Sequence, residues 1–218
     1  MLLSIIIAVK NDAEMLERIL MQIEEQTFKD YELIVVDGGS SDDSVDVAVK
    51  HGAAVIVSKD QSEGRHMVSH AADKNLASQD AFGEYLLHID ADMRFSDTIQ
   101  LERIMRFCVD NGVVAATTKI TGYDGGPREM YRRIWDPILT QVIFVRRKEF
   151  LELGGFPFAH ILDVGLHNRY IVAGYRPVLL DEEFEHLRQY NPEGLFPRDW
   201  DFLPSRVNFE GFIKDKKF

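Results

Sequence analysis

The chain of 218 residues contains one cysteine and carries an excess of acidic over basic side chains. Because Cys108 cannot form an internal disulfide, we expect a reducing, cytoplasmic setting, and its place in an apolar helical pattern is typical of a core residue. The net charge of −11 argues against nonspecific nucleic-acid binding, so we expect no nucleic-acid partner. No apolar stretch is long enough to span a bilayer. A hydrophobic content of 45% then indicates an ordinary soluble globular domain.

Strand and helix signals alternate along the first half of the chain. Residues 2–9 are continuously apolar and lack a basic leader and a cleavage site, which predicts a buried strand and not a signal peptide. A helix capped by Asn11 or Asp12 should follow, with apolar residues at Leu16, Ile19, Leu20 and Ile23. Further strands are predicted at 31–36, 53–57 and 84–89, with helices near 43–51 and 66–80. This order predicts an α/β fold with a mostly parallel sheet and helices on both faces.

The second half of the chain is less regular. Helices are predicted at 98–110, 147–153 and 163–173, with a further candidate at 128–140, and strands at 113–120, 141–145 and 177–180. From residue 185 onward, scattered prolines and aromatic residues predict an irregular tail and not a separate domain.

Asp90 and Asp92 follow a buried strand directly. In extended backbone, residues i and i+2 point to the same side, so the two carboxylates should face one point in space. Because like charges repel, we expect a positive group near them, and such oxygen ligands suit Mg²⁺ or Mn²⁺ carrying substrate phosphates. A solvated acidic turn is the alternative. Asp12 and Asp37 also fall at the carboxyl ends of predicted strands, where ligands of such sheets bind.

Several segments, in this order and spacing, resemble the inverting family 2 glycosyltransferases, which have a GT-A fold with a Rossmann-like sheet. The resemblance covers about residues 3–180. The segments are Ser4–Asp12, Gln26-Thr27, Glu32–Asp42, Lys74-Asn75, Gly83-Glu84-Tyr85, Asp90-Ala91-Asp92, Gly154-Gly155-Phe156 and Ala173-Gly174-Tyr175-Arg176.

The resemblance implies one glycosyltransferase domain over residues 1–218. Residues 1–95 would bind the nucleotide sugar, residues 96–184 would bind the acceptor, and 185–218 would form the tail. Asp92, Asp90 and His186 are implied as ligands of Mn²⁺ or Mg²⁺, and Asp163 is implied as the catalytic general base. The implied nucleotide-sugar contacts are Ala8, Lys10, Asp12, Asp37, Gly38, Arg65, Lys74, Asp90 and Ala91.

The chain departs from the family at three positions. The family usually has Pro where Ala8 stands, an aromatic residue where Lys10 stands, and Glu where Leu162 stands. Structural roles stay open for several candidates. Asp37 suits a tight turn, Asp163 could cap its helix, and His186 could be structural. Lys10, Arg65 and Lys74 could be ordinary surface cations.

The resemblance implies an inverting glycosyltransferase of hexosyltransferase type. It would move a sugar from a nucleotide-diphosphate sugar donor to a hydroxyl, saccharide, phosphate or lipid-linked acceptor by a metal-assisted single displacement. The alternatives are a non-catalytic sugar-nucleotide-binding module, which the Leu162 departure favours, and a sugar-nucleotide pyrophosphorylase. The loop Lys10-Asn11-Asp12 has no glycine, which argues against the pyrophosphorylase and against a dinucleotide dehydrogenase.

A basic cluster leaves a membrane contact open. Arg128, Arg132 and Arg133 near Trp135 could attract an anionic acceptor or the inner face of a membrane, whereas a solvated helix face is the alternative. The oligomeric state is left open by the sequence.

Overall fold

The computed structural model describes residues 1–58, 66–122, 141–157 and 162–187, and gives only the backbone of 66–70 and 162–164. Arg65, the predicted helix at 128–140, the basic cluster near Trp135 and the tail beyond residue 187 therefore lie outside the described residues. The described residues up to Leu187 belong to one compact unit. Within these ranges, no helix is long and apolar enough to cross a membrane.

The described elements alternate in the first half as predicted. The strands are β1 (Leu3–Val9), β2 (Tyr31–Asp37), β3 (Ala54–Val57), β4 (Tyr85–Ile89), β5 (Met93–Arg94), β6 (Ala115–Thr121), β7 (Val142–Arg146) and β8 (Val178–His186). The helices are α1 (Ala13–Glu25), α2 (Ser44–Lys50), α3 (His66–Asp80), α4 (Gln100–Asp110), α5 (Arg147–Glu152) and α6 (Leu162–Val172).

All eight strands form one mixed sheet in the order β3-β2-β1-β4-β7-β6-β8-β5. Strands β1 to β4 are parallel to one another, β7 runs antiparallel to both of its neighbours, and β6 and β8 are again parallel. Four of the seven pairings are parallel, which confirms the predicted α/β sheet.

The core lies on both faces of this sheet. In β1, Leu3, Ile5 and Ile7 belong to a cluster on one face, whereas Ile6 belongs to a second cluster on the other face. Helices α1 and α4 contribute apolar residues to the first cluster, and α3, α5 and α6 contribute to the second. The predicted placement of helices on both faces is therefore confirmed. Cys108 is fully buried in the first cluster, and this burial raises the pKa of its thiol to about 12.

One prediction about the second half was wrong, and one short strand was missed. The last strand was predicted to end near residue 180, but β8 continues to His186 because its end pairs with β6 on one side and β5 on the other. Glu185 and His186 therefore belong to a strand and not to an irregular tail. Strand β5 was not predicted, since a two-residue strand leaves no periodic pattern in a sequence.

Candidate active site

The carboxyl ends of β1 and β2 lie side by side. Val9 and Asp37 are partners in the parallel register, and the Gly38 N–H donates to the Val9 carbonyl oxygen over 2.8 Å. A Cβ atom on Gly38 would lie only 3.3 Å from the Cβ of Lys10. The absence of a side chain at Gly38 therefore lets the two loops close on each other, which places Lys10 and Asp37 at the same edge of the sheet.

The Asp37 side chain organises its own turn. Its carboxylate accepts hydrogen bonds from the backbone N–H of Gly39 at 3.0 Å and of Ser40 at 3.1 and 3.2 Å. Asp37 is buried, so these bonds satisfy a carboxylate that is largely removed from water. The structural role considered for Asp37 is thus present, and the predicted contact to a nucleoside base stays a prediction.

The start of α1 is fixed by the β2–α2 loop and not by its own cap. Asp12 occupies the N-cap position without a side-chain capping bond, and the Asn11 side chain accepts from the Ser41 N–H over 2.7 Å. The free N–H of Ala13 donates instead to Asp42 Oδ2 over 3.0 Å. The pKa of Asp42 is lowered mainly by a hydrogen bond from the Ser44 hydroxyl and to a smaller extent by the bond from the Ala13 N–H. Asp12 therefore occupies the predicted N-cap position, but its side chain makes no capping hydrogen bond.

The expected positive group beside the acidic pair is Lys74. Its Nζ lies 2.8 Å from Asp90 Oδ1, and its side chain is 7% exposed against 37% for Asp90. The ammonium group also lies 5.8 Å from the ring centroid of Phe156. Lys74 thus compensates the Asp90 charge from the buried side, and Asp90 keeps part of its carboxylate towards solvent.

Asp92 and His186 are brought together by the pairing of β5 with β8. Met93 is the register partner of His186, and the Leu187 N–H donates to the Asp92 carbonyl oxygen over 2.8 Å. The Nε2 atom of His186 lies 3.3 Å from Asp92 Oδ2. The extension of β8 that the sequence did not reveal is therefore what carries His186 to the acidic pair.

The donor chemistry of this pair suits a divalent cation. A carboxylate oxygen and an imidazole nitrogen are ligands that Mn²⁺ accepts, and Mg²⁺ is commonly held by one or two carboxylates completed by substrate phosphates and water. Among the described residues, no group of three His, Cys, Asp or Glu side chains is already arranged as a complete metal site. The fit is therefore that of an open site, with Asp92 and His186 on the protein side.

The second-half candidate lies on α6. Asp163 is the second residue of that helix, inside the first turn and not in front of it, and its side chain lies outside the described part of the structure. Asp181, another carboxylate of the second half, is exposed and forms an ion pair with Lys119.

His88 is a core residue. It is fully buried, its Nε2 lies 3.3 Å from the Ser78 hydroxyl, and its ring packs against Phe150 and Phe156 at centroid distances of 5.3 and 4.8 Å. Burial, followed by the nearby charge of Lys74, lowers the pKa of His88 well below its usual value.

Sequence reasoning missed two side chains that connect the elements around the site. Asn75 forms a reciprocal pair of hydrogen bonds with the backbone of Phe156, at 3.0 Å to its oxygen and 2.7 Å from its nitrogen. Arg169 donates to three carbonyl oxygens of the same region, those of Leu153, Gly154 and Gly155. The only signal in the sequence was that Asn75 and Gly155-Phe156 stand in segments that carry the resemblance.

The mixed sheet, its strand order and the helices on both faces define a GT-A type fold. A mannosyltransferase from Pyrobaculum calidifontis, solved in complex with GDP-Man and Mn²⁺, superimposes with a TM-score of 0.71 at 20% identity, over 88% of this chain and 58% of that one. Glucosyl-3-phosphoglycerate synthase from Mycobacterium tuberculosis, in complex with Mn²⁺, UDP and phosphoglyceric acid, gives 0.65 at 18% identity, over 91% and 72%.

The chain belongs to glycosyl transferase family 2, whose family model matches residues 4–170. It is 31% identical over 166 residues to a PGL/p-HBAD biosynthesis glycosyltransferase of Mycobacterium bovis, which covers 70% of this chain and 62% of the relative. It is 32% identical over 114 residues to the cholesterol galactosyltransferase of Borreliella burgdorferi, which covers 52% and 31%. The chain thus spans less than two thirds of the length of these relatives.

Proposed function

We propose that this chain is the catalytic domain of an inverting glycosyltransferase of hexosyltransferase type, using a nucleotide-diphosphate sugar as donor and Mn²⁺ or Mg²⁺ as cofactor. The observation that carries the proposal is the Asp92–His186 pair next to the Asp90–Lys74 pair, at the carboxyl end of the central strand β4. Membership of family 2 and the likeness to structures with GDP-Man or UDP together with Mn²⁺ support it. The acceptor would be a saccharide, lipid-linked or phosphate-bearing molecule with a free hydroxyl, at a cytoplasmic site.

The donor would lie across the ends of β1, β2 and β4. Ala8, Lys10, Asp12, Asp37, Gly38, Arg65, Lys74, Asp90 and Ala91 are the proposed contacts. A carboxylate offers about four acceptor positions, and the turn N–H groups of Gly39 and Ser40 hold Asp37 in one orientation. Asp37 would use its remaining capacity to accept an N–H of the base. Asp90, steadied by Lys74, would accept a ribose hydroxyl from its solvent-facing side or join the metal ligands.

Asp92, His186 and Asp90 would hold the divalent ion. Bound there, the ion supplies Lewis-acid neutralisation of the charge that develops on the leaving nucleoside diphosphate. His186 would bind the ion through an imidazole nitrogen.

Asp163 would act as the general base. Its carboxylate would take the proton of the acceptor hydroxyl while that oxygen forms a bond to the anomeric carbon and the bond from that carbon to the diphosphate oxygen breaks. A single displacement inverts the configuration at that carbon. The assignment rests on the resemblance to family 2, and Asp163 stands in the first turn of α6.

The metal assignment is tested with Asp92→Asn. We expect this variant to lose Mn²⁺-dependent binding of nucleoside diphosphate while keeping its cooperative unfolding, because the amide removes the negative oxygen ligand without changing shape. Calorimetry with UDP, GDP and dTDP, with and without Mn²⁺, measures the binding. Asp181→Asn is the matched control, since Asp181 is exposed and paired only with Lys119 among the described contacts.

Unchanged metal-dependent binding in Asp92→Asn refutes the assignment. Binding of a nucleotide sugar by the wild-type chain without any turnover would favour the non-catalytic module.

The base assignment is tested with Asp163→Asn. We expect transfer to fall by roughly 10²–10⁴-fold, the usual contribution of general-base catalysis, while nucleoside diphosphate binding is retained. Asp110→Asn, at the exposed end of α4, serves as control. An equal loss of binding and transfer would assign Asp163 a structural role at the start of α6. Full transfer in the variant would mean that another carboxylate is the base.

A further inference from the structure

The turn formed by Gly154, Gly155 and Phe156 is held by side chains of two different helices. From α3, the Asn75 amide donates to the Phe156 carbonyl oxygen over 3.0 Å and accepts from the Phe156 N–H over 2.7 Å. This reciprocal pair has the geometry of one rung of a β-ladder, so it fixes both the distance and the orientation of the Phe156 backbone.

From α6, Arg169 donates to the carbonyl oxygens of the same turn and of Leu153, which precedes it. Its Nη1 lies 2.7 Å from the Gly155 oxygen, 2.9 Å from the Gly154 oxygen and 3.3 Å from the Leu153 oxygen. Carbonyl groups that follow the end of a helix lack partners within that helix, and a cationic donor satisfies them with stronger bonds than a neutral one would. Arg169 therefore ties α6 to the end of α5.

The two glycines are required by this double contact. Gly155 has φ +64°, and a Cβ atom on it would lie 2.3 Å from the Asn75 Oδ1. Gly154 has φ +82°, and a Cβ atom there would lie 3.3 Å from the Arg169 Nη1. Both positions thus combine a left-handed backbone with the approach of a polar side chain, which only glycine accommodates without displacement.

The α3 side of the turn leads directly to the acidic pair. Lys74, the residue before Asn75, bonds to Asp90 over 2.8 Å. The Phe156 ring lies 5.8 Å from the Lys74 Nζ and 4.8 Å from the ring of His88, which precedes Asp90 on β4. Phe156 is therefore held to α3 by its backbone and to the surroundings of Asp90 by its ring.

We infer that the Gly154–Phe156 turn, clamped between Asn75 and Arg169, is a positioning device that sets α6 relative to Asp90 and Asp92. Asn75 and Arg169 are then positioning residues for transfer, although neither belongs to the proposed donor or metal contacts. The inference rests on the proposed function. Its chemical basis is that Asp163, in the first turn of α6, must meet an acceptor hydroxyl at the donor carbon, and a displacement of about 1 Å can lower a rate by roughly 10²-fold.

The experiment compares Asn75→Ala and Arg169→Gln with two matched controls, Asn111→Ala and Arg106→Gln. Asn111 bonds only within the end of α4 among the described contacts, and Arg106 is exposed on the same helix. We expect both test variants to bind nucleoside diphosphate with Mn²⁺ within about twofold of wild type. Transfer should fall by roughly 10- to 100-fold, whereas hydrolysis of the donor by water should fall less, so that the ratio of transfer to hydrolysis drops. Arg169→Lys should recover part of the transfer, because the cation is retained.

Three outcomes overturn the inference. The first is an equal loss of nucleotide binding, hydrolysis and transfer in the test variants, since this is the result of general destabilisation. The second is unchanged transfer in the test variants when the wild-type chain itself transfers sugar, and this outcome leaves the proposed function intact.

Hydrogen exchange tests the link between the Gly154–Phe156 turn and α6 without requiring any transfer activity. In Asn75→Ala, amides of 153–157 and of α6 should exchange faster, while those of β1 and β2 keep their wild-type rates. If the wild-type chain transfers no sugar from any donor, the proposed function fails, and faster exchange in α6 still supports the positional link. Unchanged exchange in α6 is the third outcome that overturns it.

Discussion

His88 shows how one buried side chain links the candidate site to the stability of the chain. Its ring is enclosed by Phe150 and Phe156, and burial, together with the Lys74 charge, lowers its pKa well below the usual value. The folded chain therefore resists a proton that the unfolded chain takes up. The contribution of a neutral His88 to stability is present above the unfolded pKa and is lost as the pH falls below it.

We expect this loss to be visible in the pH dependence of unfolding. With an unfolded pKa of about 6.5, the unfolded chain takes up a proton at His88 between pH 7.5 and pH 5.5, and this should cost the folded chain on the order of 1 kcal/mol. Urea unfolding of wild type and His88→Gln at both pH values measures the difference. The variant should be less stable at pH 7.5 and should have the shallower pH dependence. Identical slopes in the two proteins would show that His88 takes up a proton in the folded chain.

At the scale of elements, glutamine side chains fasten the segment that follows the acidic pair. The Phe95 N–H donates to the Gln22 side chain of α1, and the Gln100 side chain donates to the Glu183 oxygen of β8. Gln26, buried after the end of α1, accepts from the Leu101 N–H over 3.0 Å and donates to the Asp97 oxygen over 2.8 Å. These contacts give Gln26 of the Gln26-Thr27 segment a structural role: it fixes α4, and with it the chain that leaves Asp92.

Gln26→Ala should therefore destabilise the fold more than an ordinary surface change. The variant leaves the buried N–H of Leu101 without its partner, which typically costs about 1–3 kcal/mol, and it also removes the bond to the oxygen of the exposed Asp97. Gln79→Ala, at an exposed position of α3, is the control and should change stability by less than about 0.5 kcal/mol. Urea unfolding compares the two variants. Equal stability of the two would mean that water replaces the lost bonds at Gln26.

At the scale of the whole molecule, the two predicted halves share one sheet. Strand β4 of residues 1–95 pairs with β7 of residues 96–184 along its full length, and β5 pairs with β8. One core cluster contains Ile5 and Leu16 together with Phe144 and Phe184. The division into donor and acceptor halves therefore describes proposed roles and not separate folding units.

A fragment of residues 1–95 should consequently fail to fold alone. It would leave one side of β4 without a strand and expose the apolar faces that α4, β6 and β7 cover. Circular dichroism during urea unfolding should show no cooperative transition for the fragment, whereas the complete chain should unfold cooperatively. A sigmoidal transition in the fragment would contradict this expectation, because it would show that residues 1–95 fold independently.

The sequence was sufficient where a local pattern carries the structure. The apolar run of β1, the helical spacing of Leu16 to Ile23 and the glycine turn after Asp37 predicted the elements and the edge of the sheet where the candidates meet. It was insufficient where a contact depends on residues distant in the chain. The Lys74–Asp90 pair and the clamp by Asn75 and Arg169 depend on the packing of α3 and α6, which no local period encodes. The placement of His186 depends on the pairing of β8 with β5, a strand too short to predict.

Because Cys108 is buried, its reaction with thiol reagents reports on opening of the hydrophobic core. Its thiol is the only one in the sequence, lies on the buried side of α4, and has a pKa that burial raises to about 12. A thiolate is the form that attacks alkylating reagents, so the closed protein presents almost none of it to a reagent in solution. The rate at which a maleimide or a chromogenic disulfide reacts with the native chain therefore measures how often the core around α4 opens and exposes Cys108. No cysteine has to be introduced by mutation for this measurement.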